Sequence, residues 1–262
     1  NVSIVLQNLG MESIILGFRA GFTGEALENM LYEYGCQSRL IPITGYTRIN
    51  VKIKGQEETD INGQGPEIPA QAQKELFSQL AHLREGDVLV LAGSIPNSLP
   101  EDTYERICKQ LQGRGISFVV DATGTLLWKV LPYHPFLIKP NQMELGELFD
   151  KQIETTEEIV YYAKLLQNQG AKNVLISRGG DGAVFLTEDG TVYQSPSPKG
   201  TLVNAVGAGD SMVAGFLYGY FRQKSYEQAF YMGLCAGSAT AFHPWLATKE
   251  QIEKLASHFP LK

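Results

Sequence analysis

The feature that most constrains this chain is an alternation that runs through most of its length, in which short apolar, β-rich runs are separated by stretches of helical spacing. Ser13 to Phe18, Asp87 to Ala92, Ile116 to Asp121, Phe136 to Lys139 and Asn173 to Ser177 are the candidate core strands. The patterns at Gly24 to Tyr34, Ala70 to Leu83, Glu101 to Gln112 and Thr156 to Gln169 are helical. Strands that are apolar almost without interruption must be covered on both faces, and βαβ crossovers supply that cover. The expected fold class is therefore α/β with a mostly parallel central sheet.

Two places break the alternation. Arg39 to Ile61 holds successive strand-like segments with no helix between them: Thr47 to Lys54 alternates, and Glu57 to Ile61 follows a Lys54-Gly55 turn signal. A small sheet projecting as a lid, at about residues 39–66, accounts for that run. Ala183 to Leu186 and Thr191 to Gln194 flank Glu188-Asp189-Gly190, which predicts an antiparallel hairpin at an edge of the main sheet. From Ala208 onward the pattern is helical, over Ser211 to Phe221 and Tyr226 to Phe242.

With 262 residues and 44% hydrophobic content, the chain fits one domain, 1–262, better than two equal ones. The 22 basic and 28 acidic residues give a net charge of −6 without long runs of one sign, so nothing marks a nucleic-acid or membrane surface. Cys36, Cys108 and Cys235 are odd in number and far apart, which suggests neither disulfides nor zinc and fits a reducing cytoplasm. No apolar stretch reaches the roughly 18 to 20 residues of a membrane helix, and no signal pattern opens the chain. Asn1 to Leu9 already reads as an amphipathic helix, so residues upstream of Asn1 are expected. His82, His134, His243 and His258 share no ligand spacing and are read as structural.

The strongest chemical signal is Leu202-Val203-Asn204-Ala205-Val206-Gly207-Ala208-Gly209-Asp210-Ser211. Two glycines at a helix start leave unpaired, approachable backbone N–H groups, which make an anion hole. A carboxylate beside such a hole has a purpose if it takes a proton from a hydroxyl that attacks a phosphate. Taken alone, the segment also fits an ordinary helix cap. No dinucleotide fingerprint and no P-loop is present, so any ATP site is of another kind.

Ile138-Lys139-Pro140-Asn141-Gln142-Met143-Glu144 ends an apolar strand and opens a helix. Asn141 and Glu144 have near-capping spacing; a carboxylate there also suits Mg²⁺ bound together with substrate phosphates. Ser177-Arg178-Gly179-Gly180-Asp181-Gly182 follows a strand, and its glycines permit either a close ligand approach or a tight hairpin entry. Gly93-Ser94 closes the strand Asp87 to Ala92, where open α/β sheets place ligands. Arg48, on the expected lid, carries a guanidinium suited to a phosphate.

Together these segments resemble the ribokinase-like family of sugar kinases, in order and over essentially the whole chain. Gly207-Ala208-Gly209-Asp210, Lys139-Pro140-Asn141-x-x-Glu144 and Ser177-x-Gly179-Gly180-x-Gly182 carry the resemblance. It implies a three-layer α/β/α sandwich with a small β-sheet lid, buried in a homodimer. It implies Asp210 as catalytic base at the sugar hydroxyl, with amides of Gly207, Ala208 and Gly209 on the transferring phosphoryl group. Lys139, Asn141, Ser177, Gly179, Gly182 and Gly209 would then face ATP, with Glu144 at Mg²⁺. Thr47-Arg48-Ile49-Asn50-Val51-Lys52, Asp60-Ile61-Asn62-Gly63-Gln64-Gly65-Pro66 and Leu91-Ala92-Gly93-Ser94-Ile95-Pro96 resemble the branch acting on sugar phosphates. The implied acceptor is fructose 1-phosphate, with tagatose 6-phosphate as the alternative, and Asn1, Arg48 and Ser94 join Asp210 on the substrate side. The resemblance also places a sugar-binding glycine loop and a strand with a substrate-binding Asp ahead of Asn1.

Two other classes compete. A non-catalytic sugar or nucleotide sensor would keep the fold but has no need of Asp210. A dinucleotide-dependent oxidoreductase lacks its fingerprint here.

Overall fold

The computed structural model describes residues 1–54 and 58–259. Its central sheet has six strands: β5 (Val88–Ala92), β6 (Ser117–Asp121), β7 (Leu137–Ile138), β8 (Asn173–Ser177), β9 (Ala183–Leu186) and β10 (Val192–Ser195). They lie in the order β10-β9-β8-β7-β6-β5. Strands β5 to β8 run parallel, and β9 and β10 add antiparallel at one edge, as the Glu188-Asp189-Gly190 turn predicts.

Alternate residues of these strands feed two separate cores. Val119, Leu137, Leu175 and Phe185 pack with helices α1 (Val2–Leu9), α8 (Ala208–Gln223) and α9 (Tyr226–Ala241). Phe118, Val120, Ile138, Val174 and Ile176 pack on the other face with α4 (Thr103–Leu111), α5 (Gly124–Val130), α6 (Gln142–Phe149) and α7 (Thr156–Asn168). That is the three-layer α/β/α sandwich, and it explains why the strands carry apolar residues at nearly every position. Helix α10 (Lys249–His258) contributes Ile252 to the first core.

Two expectations change. The first candidate strand forms as β1 (Ile14–Ala20), but it pairs with β2 (Gln37–Ile43) as a parallel two-stranded sheet and not within the six-stranded one. Helix α2 (Gly21–Glu33) crosses between them. Residues 39–43 thus belong to a βαβ unit, and the projecting sheet is only the antiparallel pair β3 (Asn50–Lys54) and β4 (Glu58–Asn62). The Lys54-Gly55 turn and Glu57 fall at or beyond the limits of the described residues. Helix α3 (Ala70–Leu80) returns the chain to the body. Neither α5 nor α10 was expected from the sequence.

Candidate active site

The entry to α8 is built by side chains that spare its amides. Asn204 Oδ1 accepts from Val206 N at 3.2 Å while Asn204 Nδ2 donates to the Pro244 carbonyl at 3.1 Å. Gly207 follows at φ 81°, and a Cβ there would stand 2.6 Å from Leu246 Cδ2, so both conformation and space require glycine. Ala208 N donates to the Ala205 carbonyl at 3.1 Å and Ser211 N to that of Gly207 at 2.8 Å. Among the described residues, the amides of Gly207, Gly209 and Asp210 donate to no protein acceptor, at the positive end of a 16-residue helix. Of the three amides expected from the sequence, those of Gly207 and Gly209 are without a protein acceptor among the described residues, whereas the Ala208 amide is already engaged. Below it, Thr240 Oγ1 donates to Ser211 Oγ at 2.8 Å and accepts from Ala247 N at 3.1 Å, which ties α8 to α9 and to the 244–247 segment.

Two carboxylates and one ammonium meet at this helix start. Asp210 lies in its first turn, where Asn1 Nδ2 donates to Oδ2 at 2.8 Å. Lys139, buried at the end of β7, places Nζ 3.2 Å from Asp121 Oδ1. A Cβ on Gly209 would lie 3.2 Å from that same Nζ and 4.0 Å from Asp121 Oδ2. Burial pushes the Asp121 carboxyl above the ordinary range; the Lys139 ammonium opposes this, and the charges of Asp210 and Glu144 add to it. The four groups are therefore electrostatic neighbours. Asp121 is not among the site residues expected from the sequence. Its one signal is a carboxylate closing the apolar run Phe118 to Val120, at the strand end where open sheets bind ligands.

Asn141 and Glu144 form a complete capping box on α6. Glu144 N donates to Asn141 Oδ1 at 2.8 Å, and Asn141 N to Glu144 Oε2 at 2.7 Å. Both the capping reading and a ligand role remain compatible, because Glu144 Oε1 has no protein partner among the described residues. Among the described residues, no group of three or more His, Cys, Asp or Glu forms a metal cage. Mg²⁺ needs none when one or two carboxylates and substrate phosphates hold it, so Glu144 fits that ion.

Ser177 adjoins Asn141 through a parallel bridge, which brings the third glycine segment beside the capping box. Gly179 opens a short 3-10 turn and is exposed. Gly182 is buried at φ 92°, and a Cβ there would meet the Ser195 carbonyl at 1.9 Å, so its glycine is required by the β9–β10 packing itself.

On the other side, Arg48 Nη2 donates to Ser94 Oγ at 3.0 Å, joining two of the residues expected on the substrate side. Thr47 fixes the root of the projecting sheet. Its Oγ1 accepts from Ala20 N at 2.9 Å, its N donates to the Ala20 carbonyl at 2.9 Å, and its carbonyl accepts from Thr23 Oγ1 at 2.9 Å. The Ser94 loop is held by Tyr104, whose hydroxyl donates to the carbonyls of Ala92 and Gly93 at 2.9 and 3.0 Å. Burial, with the charge of Asp121, pushes that hydroxyl up to about 12, so it stays a donor. Gly93 N donates to the Asp121 carbonyl at 3.2 Å, so Asp121 links the Ser94 loop to Lys139. A cavity of about 200 Å³ beside Arg48 is lined also by Arg19, Thr47, Gly65, Pro66 and Pro96. A wider hollow of about 580 Å³ along α6, lined by Met143, Glu147, Asp150 and Lys151, includes none of the charged groups at the α8 start.

Comparison with known proteins gives the family and the fold. The family model for the pfkB family carbohydrate kinases matches residues 1–251. The 1-phosphofructokinase of Bacillus subtilis is 48% identical over 255 residues, covering 97% of this chain and 84% of that protein. The D-tagatose-1-phosphate kinase of Bacillus licheniformis is 34% identical over 262 residues, covering 100% and 86%. Among solved structures, phosphofructokinase-2 from Escherichia coli in complex with substrates and products superposes with a TM-score of 0.92 at 25% identity, covering 98% of this chain and 85% of that one.

Proposed function

Because the chain belongs to the pfkB family of carbohydrate kinases, we propose that it transfers the γ-phosphoryl group of ATP to the free primary hydroxyl of fructose 1-phosphate, forming fructose 1,6-bisphosphate and ADP. The observation that carries this reading is Asp210, a tethered carboxylate beside free amides at a helix N-terminus. Asp210 takes the hydroxyl proton as the sugar oxygen bonds to the γ-phosphorus, and the bond from phosphorus to the bridging oxygen breaks with its electron pair leaving on ADP. The amides of Gly207 and Gly209 and the Lys139 ammonium stabilise the charge that develops on the transferred group. The Ala208 amide, bonded to Ala205, closes the helix turn instead.

Glu144, with Asn141 and Ser177 beside it, is the residue that would hold Mg²⁺, which when bound neutralises phosphate charge. The 177–182 turn, with Gly179 exposed, lies on the nucleotide side. Arg48 and Ser94 receive the phosphate already on the sugar, and Asn1 orients Asp210 next to the acceptor hydroxyl.

The similarity to a D-tagatose-1-phosphate kinase favours tagatose 1-phosphate, over the expected tagatose 6-phosphate, as the second acceptor. It differs from fructose 1-phosphate only in the configuration of one carbon. A homodimer through the β3–β4 sheet is part of the proposal, supported by the exposed apolar side chains of Ile49, Val51, Ile53 and Ile61 there. A reducing, cytoplasmic setting is supported by three buried free thiols; no helix of the described residues is long and apolar enough to cross a membrane.

A coupled ADP-release assay comparing fructose 1-phosphate, tagatose 1-phosphate, tagatose 6-phosphate and fructose 6-phosphate by kcat/KM tests the assignment. Preference for fructose 1-phosphate is the expected result. Preference for another acceptor reassigns the substrate, and absence of turnover with all four overturns the reading.

A further inference from the structure

We infer that Asp121 is a positioning residue that holds the Lys139 ammonium against the phosphoryl site at the start of α8. The inference rests on reading that helix start as the place where the phosphoryl group is transferred.

Lys139 is only 5% exposed, and among the described residues its one charged partner is Asp121, 3.2 Å away. A buried ammonium without a partner is strongly unfavourable, so this pair decides where the charge sits. An ammonium has three N–H donors. Asp121 occupies one, and the Nζ stands on the Gly209 side, 3.2 Å from where any side chain at 209 would begin. Glycine at 209 thus leaves open the path from Nζ to the free amides.

The geometry of the pair is set by the sheet. Strands β6 and β7 are parallel, with Val120 in register with Ile138, so Asp121 and Lys139 leave the sheet side by side at its carboxyl edge. Lys139 N donates to the Val120 carbonyl at 3.1 Å, which extends the pairing up to the charged residues. The same position separates the work of the two acids: Asp121 is committed to the lysine, whereas among the described residues Asp210 bonds only a neutral side-chain amide and remains available as base.

The test compares Asp121→Asn, Asp121→Glu, Lys139→Met and the double variant Asp121→Asn/Lys139→Met, with folding checked by circular dichroism. Calorimetric binding of ATP and of ADP is measured beside kcat and KM. Asp121→Asn is expected to lower kcat about 10- to 100-fold, the scale of losing one hydrogen bond to a charged group. It should weaken ATP more than ADP and leave the KM for the sugar phosphate within about twofold. Asp121→Glu should recover part of the loss, and the double variant should be no worse than Lys139→Met alone.

Multiplying effects in the double variant, equal losses of ATP and ADP, or wild-type kcat in Asp121→Asn would each overturn the inference. If Asp121→Asn does not fold, the comparison of Lys139→Met with the double variant, which removes both buried charges, decides alone. Should the wild type phosphorylate no sugar phosphate, the proposed reaction fails, while the ATP-against-ADP comparison still judges the role of Asp121.

Discussion

The side-chain amide of Asn1 donates to Asp210 Oδ2 at 2.8 Å, joining the N-cap of α1 to the first turn of α8 across 209 positions. Helices α1 and α8 share one core, in which Val5 and Leu6 lie with Val213 and Phe216, so the bond is anchored at both ends. With Oδ2 engaged, Oδ1 is the oxygen left to receive a proton. Asp210→Asn preserves size and removes that basicity. It is expected to lower kcat by roughly 10²- to 10⁴-fold, with calorimetric affinities for ATP and fructose 1-phosphate changed little. Near-normal turnover would exclude Asp210 as the base.

Arg48 makes a different prediction because its hydrogen-bond partner among the described residues is the Ser94 hydroxyl. No carboxylate among the described residues pairs with it, and its guanidinium can take two oxygens of a sugar phosphate in parallel. Arg48→Ala should raise the KM for fructose 1-phosphate by about tenfold or more while leaving the KM for ATP nearly unchanged. Arg48→Lys should recover only part, since an ammonium lacks the planar fork. Steady-state kinetics with each substrate varied separately checks this; equal effects on both KM values would place Arg48 elsewhere.

The glycines of the site separate into those that serve the chain and those that serve the ligand. At Gly182 a methyl group would overlap the Ser195 carbonyl, and φ is 92°. Gly182→Ala should therefore destabilise the fold itself, by several kcal/mol on the scale of overpacking plus backbone strain, seen as a clear fall in Tm. At Gly209 the obstacle is the flexible end of Lys139, 3.2 Å away. Gly209→Ala should leave Tm close to that of the wild type and reduce kcat, because the methyl group displaces Nζ. Thermal unfolding and kinetics on the same two variants separate the roles; a Tm loss of equal size at both positions would refute the distinction.

What could be read in the sequence follows the range over which each signal acts. Phe118 to Val120 and Val174 to Ile176 announce strands because burial on both faces leaves no polar position. Asn141 with Glu144, and Gly207 with Gly209 and Asp210, are legible because capping and anion holes are made within a few residues. From Arg39 to Ile43 the sequence reads as part of the projecting sheet, because strand-like segments follow one another there with no helix between them; the strand itself is Gln37–Ile43. Its parallel pairing with Ile14–Ala20 is a nonlocal fact that no turn encodes. Helix α5 is only seven residues long, too short for a period to emerge, and α10 buries only Ile252. Asp121 was missed for the same reason as β2: a strand-end carboxylate is unremarkable until parallel register sets Lys139 beside it.

The projecting sheet gives the last prediction. Val51 pairs with Ile61 across β3 and β4, and Ile53 lies two residues along from Val51, so the three side chains share one face. They are 46%, 55% and 50% exposed, and Ile49, preceding the strand with the same parity, is 63% exposed. A two-stranded sheet is marginal by itself, and an apolar face left in water adds to that. Packing against the same face of a second copy removes both costs and is self-complementary, as a two-fold dimer requires. Val51→Asp with Ile61→Asp should therefore convert a species with the mass of two chains into one with the mass of a single chain, measured by light scattering on a sizing column. The root of the sheet, tied through Thr47 to Ala20 and Thr23, stays intact in this variant. Folding of the body should be unaffected, with an unchanged far-UV spectrum. A wild type that runs as a single chain, or a variant whose mass does not fall, would show that this face is not the dimer contact.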